Sequence, residues 1–260
     1  MPIITLLTDW GLKDYYAAAV KGKLYSQLSE LKIVDISHQV TPFSIEQAAF
    51  IFKNCYQDFP KGSIHILGVS TEESEKSPHI ALFHKGHYFI GADSGIFSMI
   101  FEDHPEKIIE LNIPQDSDSF TFSTYNRFVN AALHLAKGNP IEELGNAREK
   151  LAVKLQFKPA IDKDTIKGMV IYIDAYENLV TNITQDLYKS VGKGRKYHVL
   201  LRGEKINKIY QSYNDVPIGE IVVIFGSNGH LEVAINHGNA SSLLGISLND
   251  SIMIEFESKD

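Results

Sequence analysis

Apolar positions open the chain as a run, Ile3-Ile4-Thr5-Leu6-Leu7, and give way at once to Thr8-Asp9-Trp10-Gly11-Leu12-Lys13-Asp14-Tyr15. A continuous apolar run of this length predicts a strand buried on both faces. Tyr15 to Ser29 then places alanines and Val20 on one helix face, and Lys32-Ile33-Val34-Asp35-Ile36 predicts a second strand, completing a β-α-β unit. Ser44 to Tyr56 predicts another helix, with Ser44 as cap and Gln47 closing a capping box, and Phe59-Pro60-Lys61-Gly62 ends it. Ser63 to Val69 is a further strand. After the polar loop Ser70 to Pro78 come Ile80 to Phe83 and Tyr88 to Ile90, around the turn Lys85-Gly86. Asn130 to Lys137 predicts a late helix, stopped by Gly138-Asn139-Pro140.

From about Phe157 the turn residues become denser and a period of two takes over. Gly168 to Ile173, Tyr197 to Leu201, Glu220 to Phe225, His230 to Ile235 and Ser251 to Phe256 predict strands. The expected architecture is an α/β N-terminal domain over 1–157, a linker over 158–164 and a smaller C-terminal all-β, barrel-like domain over 165–260. Periodicity alone leaves barrel and sandwich both open.

Composition adds limits rather than detail. The 260 residues are 44% hydrophobic and 22% charged, the profile of a soluble globular chain. A formal net charge of -7, with no Lys/Arg-rich run, offers a phosphate backbone no long-range attraction, so no nucleic-acid partner is expected. Lone Cys55 cannot form an internal disulfide and sits in an apolar helical context, which fits a reducing cytoplasm. Neither a leader pattern nor an eighteen-residue apolar span is present, so no membrane association is expected.

In α/β folds ligands gather beyond the carboxyl ends of strands, which is where Asp9 and Asp14 stand. An ionised carboxylate only accepts hydrogen bonds, so the pair suits a ribose diol or an ammonium group and suits phosphate badly. The alternative is that both aspartates cap the next helix and solvate the turn. Ile173-Asp174-Ala175-Tyr176-Glu177-Asn178-Leu179-Val180-Thr181-Asn182-Ile183 forms a second polar cluster. Its amides could read a purine edge and its aromatic ring could stack on a base, or the whole could be an Asx-rich turn. Gly226-Ser227-Asn228-Gly229 reads as a hairpin turn. His84-Lys85-Gly86-His87 has metal-like spacing, but its centre is a β-turn and no Cys or carboxylate accompanies it, so no metal is expected. No G-x-S-x-G elbow, phosphate loop or dinucleotide fingerprint occurs.

In order and spacing, several pieces together resemble the S-adenosylmethionine hydroxide adenosyltransferases and their fluorinase and chlorinase relatives. They are Thr8-Asp9-x-Gly11 with Asp14, Ile33-Val34-Asp35-Ile36-Ser37-His38 with Val40-x-Pro42, Phe59-Pro60-x-Gly62, Asp93-x-Gly95, Thr121-Phe122, Ile173-Asp174 with Asn178 to Ile183, and Leu231-Glu232. The resemblance implies S-adenosylmethionine as substrate or ligand, no further cofactor, and a homotrimer whose ligand lies between the N-terminal domain of one subunit and the C-terminal domain of its neighbour. It implies that Asp9 holds the ribose 2′ and 3′ hydroxyls and that Asp14, Asp174 and Ser227 face the methionine end. It also places Phe43, Phe122, Tyr176 and Asn178 among the ligand-binding residues, with Phe43, Tyr176 and Asn178 lining the adenosine. Asn228 stands where halogenating relatives carry an arginine, and its amide keeps the hydrogen bonding but loses the charge.

The reacting centre departs from that pattern. Hydroxide-transferring relatives use an aspartate in Val-Asp-Pro-Gly, an arginine soon after it, and a histidine in Thr-Phe-His-Gly-Arg-Asp. This chain carries Val69-Ser70-Thr71-Glu72, then Lys76 or Ser77, then Thr121-Phe122-Ser123-Thr124-Tyr125-Asn126. The hydroxyls of Ser70, Ser123 and Thr124 are the catalytic candidates; they can hold a nucleophile but are poor bases at neutral pH. Glu72, Glu73 and Glu75 would repel a halide unless they point to solvent. Expected function is therefore slow displacement of methionine from the 5′ carbon by water, giving adenosine and methionine, or by a halide. The alternative is a binding protein for the nucleoside that lost the chemistry. A metal-dependent hydrolase would need acids gathered round a cation, and the sequence shows no such pattern.

Overall fold

A computed structural model describes residues 3–114 and 122–258 of the chain. The chain divides into two compact units, residues 1–155 and 156–260. The first unit runs β1 (Ile3–Thr8), α1 (Tyr16–Gln27), β2 (Lys32–Ser37), α2 (Ile45–Lys53), β3 (Ile64–Gly68), β4 (His79–His84), β5 (His87–Ala92), α3 (Ile96–Ile100), β6 (Lys107–Leu111), α4 (Val129–Ala136) and β7 (Gly145–Ala147). Its sheet has the order β2-β1-β3-β5-β4-β6-β7, parallel from β2 to β5 and antiparallel beyond. β1 leads through α1 to β2 on one side, and β2 leads through α2 to β3 on the other. The order of connections therefore reverses between β1 and β3, and the carboxyl ends of these two strands are the place where α/β sheets gather ligands.

Successive side chains of a strand point to opposite faces, and β1 uses both. Ile4 and Leu6 pack with Val20 and Leu24 of α1 and with α4, whereas Leu7 packs with Ala48 and Phe52 of α2 and with Phe97 of α3. Two-sided burial is why this strand reads as an unbroken apolar run. Ser44 caps α2 by accepting from the Gln47 amide at 3.3 Å. The Gln47 side chain departs from the expected box and accepts from Thr41 N instead, at 2.5 Å. Lys85 (φ +49°) and Gly86 (φ +86°) form the predicted hairpin turn between β4 and β5. Asp93 is buried and binds the Ala152 amide through both oxygens at 3.0 Å, so it ties residues after β7 to the end of β5.

The second unit runs β8 (Ala160–Ile161), β9 (Thr165–Ile173), β10 (Leu179–Thr184), α5 (Gln185–Gly192), β11 (Tyr197–Leu201), β12 (Glu204–Ile206), β13 (Ile221–Phe225), β14 (His230–Ile235), α6 (Ala240–Leu244) and β15 (Ser251–Phe256). One antiparallel path, β12-β11-β15-β9-β10-β14-β13, wraps a single core that includes Ile166, Leu179, Val199, Leu231 and Ile254. A single path around one core makes this unit barrel-like rather than a two-sheet sandwich. The short helices α5 and α6 and the strands β8, β10 and β12 are elements that the sequence pattern did not announce. No helix among the described residues is long and apolar enough to cross a membrane.

His65 on β3 is fully buried, pairing with Thr5 Oγ1 at 2.7 Å and with His87 Nδ1 at 3.2 Å beneath the rings of Phe52, Tyr56 and Phe89. Burial, reinforced by the neighbouring His87, drives its pKa down from 6.5 to about 3. The unfolded chain therefore binds a proton here that the folded chain refuses. Stability from this group is complete above the unfolded pKa and declines as pH falls from about 6.5 toward 3, by about 2 kcal/mol at pH 5. Thermal unfolding of the wild type and of His65→Gln at pH 7 and pH 5 checks this. The acid-induced loss is expected to shrink in the variant, and an equal loss in both contradicts the assignment.

Candidate functional site

Past the end of β1, the chain turns at Gly11, whose φ of +67° suits a residue without a side chain and whose amide reaches His38 O at 2.6 Å. Thr8 Oγ1 pairs with His38 Nδ1 at 2.7 Å, so the loop after β2 is tied to the loop after β1. His38 Nε2 lies 3.1 Å from Asp35 Oδ1 without forming a hydrogen bond. Partial burial opposes ionisation of Asp35, but Lys21 and His38 outweigh it and hold the carboxyl below its ordinary pKa.

Asp9 is half-buried and accepts from Phe43 N through Oδ2 at 2.9 Å. Phe43 holds a left-handed backbone (φ +68°) and is 77% exposed. A bulky residue in that conformation is strained, and the Asp9 carboxylate is one of the contacts that hold it. Oδ1 of Asp9 retains its lone pairs for another donor. Neither aspartate caps α1: its N-cap is Tyr15, without a side-chain bond, and its first turn contains no acid. Asp14 is exposed, just ahead of α1.

Trp10 gathers the other pieces. Its ring is stacked on His38 with centroids 6.3 Å apart and meets Phe122 edge-on at 5.3 Å. A Cβ on Gly68 would stand 2.8 Å from Trp10 Cζ2, so β3 ends in glycine to admit the indole. Thr8 pairs with Gly68 in the parallel ladder, which sets Asp9 and Val69 side by side at the switch point with Ser70 one residue on. Ser70 is half-buried with φ +50°. Phe122 also packs edge-on against Tyr16 at 5.1 Å and leads into buried Ser123 and Thr124, the latter at the start of a π-helical turn, Thr124–Phe128. The first unit thus joins Asp9 to Phe43 directly, and Trp10, the residue after Asp9, to Phe122. Thr121 lies outside the described residues.

Of the loop glutamates, Glu72 and Glu75 are exposed. Glu73 is not a free anion, because Arg127 pairs with it and screens its charge. Sequence spacing gave no sign of this contact, since its partners are 54 residues apart.

In the second unit Asp174 organises a tight turn. Oδ1 accepts from Tyr176 N at 2.9 Å and Asn178 N at 2.8 Å, and Oδ2 accepts from Asn178 Nδ2 at 3.0 Å. The Asx turn is therefore real, and Glu177 inside it takes φ +63°. It leaves Tyr176 76% exposed. Asn178 is buried, with its Oδ1 remaining as an acceptor. The Gly226–Gly229 hairpin turn carries exposed Ser227 at its tip, while Asn228 Oδ1 accepts from His230 N at 3.0 Å. A Cβ on Gly226 would lie 3.1 Å from Glu232 Oε2. Buried Glu232 takes a hydrogen bond from the Tyr213 hydroxyl at 2.6 Å. Burial first, and the nearby Asp174 charge second, push the Glu232 carboxyl above its ordinary pKa, while the Tyr213 hydroxyl acts the other way. Asp174, Glu232 and the 226–229 turn are thus neighbours. Tyr213 is the member that no sequence signal announced.

The histidines at the hairpin shoulders go to separate partners: His84 Nδ1 meets Glu106 at 3.2 Å, and His87 meets His65. No group of three His, Cys, Asp or Glu able to hold a metal occurs among the described residues.

Together these features define a two-unit protein whose α/β unit carries polar and aromatic residues, Asp9, Trp10, Phe43 and Phe122, around the carboxyl ends of β1 and β3. The family model for the SAM hydroxide adenosyltransferase N-terminal domain matches residues 4–145, and the C-terminal domain model matches 168–253. The chain belongs to the SAM hydroxide adenosyltransferase family. It is 27% identical to an (R)-S-adenosyl-L-methionine hydrolase of Methanocaldococcus jannaschii, over 98% of this chain and 96% of the relative. It is 25% identical to a fluorinase of an Actinoplanes species, over 90% of this chain and 91% of that protein. The crystal structure of an uncharacterized conserved protein from Thermotoga maritima superposes with a TM-score of 0.88 at 28% identity, covering 97% of this chain and 99% of that one.

Proposed function

We propose that this protein binds S-adenosylmethionine and slowly displaces methionine from its 5′ carbon, with water as the default nucleophile and a halide as the competing one. The observation that carries the reading is the Asp9 carboxylate at the switch point, with an oxygen left to accept from a ribose diol beside the exposed Phe43 ring. Phe122 belongs to the same ligand-binding set, near the β1 end. Asp14, Asp174, Ser227 and Asn228 are assigned to the methionine end, and Tyr176 and Asn178 to the adenine. Homotrimeric assembly in the cytoplasm completes the proposal.

Attack is in line with the C5′–S bond: the nucleophile's lone pair forms the new bond to C5′, and the C5′–S pair leaves on sulfur as a neutral thioether. Loss of positive charge on the sulfonium makes it a good leaving group, so alignment supplies most of the acceleration. Ser70, Ser123 and Thr124 hold the incoming oxygen or halide. None of these hydroxyls is a good base, so water's proton passes to solvent after attack and turnover is slow. A second reading, a nucleoside or S-adenosylmethionine binder without chemistry, is favoured by the same replacements, Ser70 for the aspartate, Lys76 or Ser77 for the arginine and Ser123 for the histidine.

Long incubation with S-adenosylmethionine, followed by chromatography, decides between them. Slow, enzyme-dependent release of adenosine and methionine is expected, with a 5′-halogenated nucleoside where chloride or fluoride competes. Binding without any product establishes the second reading, and absence of binding removes both.

A further inference from the structure

The loop from β3 to β4 is held by a charged cluster assembled from three separate segments. His79, the first residue of β4, is fully buried, with Nε2 2.8 Å from Thr71 O. A carbonyl can only accept, so Nε2 carries the proton and Nδ1 presents its lone pair. That lone pair lies 3.4 Å from Arg127 Nη1, and the same guanidinium pairs with Glu73. The His79 ring also meets Phe128 edge-on at 4.9 Å. The backbone of Thr71 and the side chain of Glu73 are therefore both pinned to one buried imidazole and one guanidinium, whose side chain is only 17% exposed.

Two further features separate this cluster from an ordinary surface ion pair. Arg127 sits in the π-helical turn that also carries Thr124, and such turns are rare and concentrate at functional sites. Arg127 Nε and Thr124 Oγ1 are buried and meet no acceptor among the described residues, so the turn keeps donors beyond those that anchor the loop. At the other end of the pinned segment, Ser70 is held at φ +50°, a conformation that surrounding contacts must enforce. Ser70 is two residues beyond Gly68, against which the Trp10 ring is packed next to Asp9.

We propose that Arg127 is a positioning residue for the reacting end of the site: through Glu73 and His79 it fixes the loop 70–78, and with it Ser70, relative to the 5′ carbon of the nucleoside held at Asp9. The proposal rests on the S-adenosylmethionine reading and adds to it residues at positions other than those of the missing water-handling groups. Arg127 touches neither ribose nor purine in this account. Its loss therefore changes alignment and leaves ligand affinity in place.

The test measures S-adenosylmethionine affinity by calorimetry and adenosine release at saturation separately, for wild type, Arg127→Ala, Arg127→Lys and Glu73→Gln, with thermal melting as a folding check. Arg127→Ala is expected to lower kcat by about 10- to 100-fold, the scale of a small misplacement of reacting groups, with Kd within about 3-fold of wild type. Arg127→Lys restores most of the rate, and Glu73→Gln falls between. Unchanged kcat in Arg127→Ala overturns the proposal, as does an equal loss of kcat and affinity. If Arg127→Ala does not fold, Glu73→Gln and Arg127→Lys decide: a lower kcat in the first with a near-normal kcat in the second supports the role, and any other pattern overturns it. Wild type that binds S-adenosylmethionine without releasing adenosine overturns the positioning role and spares the binding reading. Wild type that does not bind it removes both.

Discussion

Asp9→Ala is expected to weaken binding of adenosine and of S-adenosylmethionine by about 100-fold or more. Two hydroxyls donating to one carboxylate are charge-assisted hydrogen bonds worth about 1.5–3 kcal/mol each, and alanine removes both. Part of the loss comes through Phe43, whose amide bonds to Asp9 Oδ2 at 2.9 Å while its backbone is held at φ +68°. Without that acceptor the aromatic face beside the ribose is no longer fixed. Asp9→Asn keeps an acceptor for Phe43 N and loses the charge, so it is expected to fall between wild type and Asp9→Ala. Calorimetry with the three proteins checks this order, and equal affinity in all three rejects the role.

The second large effect is at Asp174. Its carboxylate accepts three hydrogen bonds inside the 174–178 turn, two of them from backbone amides, so Asp174→Ala leaves those donors to find other partners. A destabilisation of about 2–3 kcal/mol is expected, at the upper end for a half-exposed turn because Glu177 is left at positive φ. Tyr176 loses its orientation at the same time, and nucleoside affinity is expected to drop by at least about 10-fold. Denaturant unfolding gives the first quantity and calorimetry the second. An Asp174→Ala protein as stable as wild type would mean that the turn is shaped by the strands around it and not by this carboxylate.

These two aspartates show what the sequence reveals and what it hides. Asp9 follows an apolar run that is buried on both sheet faces, and that run alone locates the strand end where a ligand site belongs. The turn at Asp174 is equally legible, because aspartate two and four residues ahead of backbone donors is a local arrangement. In the second unit the strands β9, β11, β13, β14 and β15 follow from their period of two. Short elements escaped: α3 and β6 have five residues each, too few for either period to stand out. β10 was hidden for another reason, because its Thr181 and Asn182 read as site chemistry when they are also the polar positions of a strand.

Contacts between distant segments were not legible at all. Nothing in the spacing joins Arg127 to Glu73, or Tyr213 to Glu232. The loop glutamates looked like a field hostile to an anion, yet one of the three is screened by a guanidinium from another element. The serines and glutamates of the 70–78 loop are read directly from the sequence, whereas the charged cluster pinning that loop needed the fold to bring it together.

The central claim is that a sugar diol is bound by Asp9, and it is tested most directly from the ligand side. Adenosine and 2′,3′-dideoxyadenosine are titrated into the wild-type protein under identical conditions. The account predicts that the dideoxy compound binds about 100-fold or more weakly, because it offers the carboxylate no donor and leaves it desolvated. Equal affinity for the two nucleosides would contradict it.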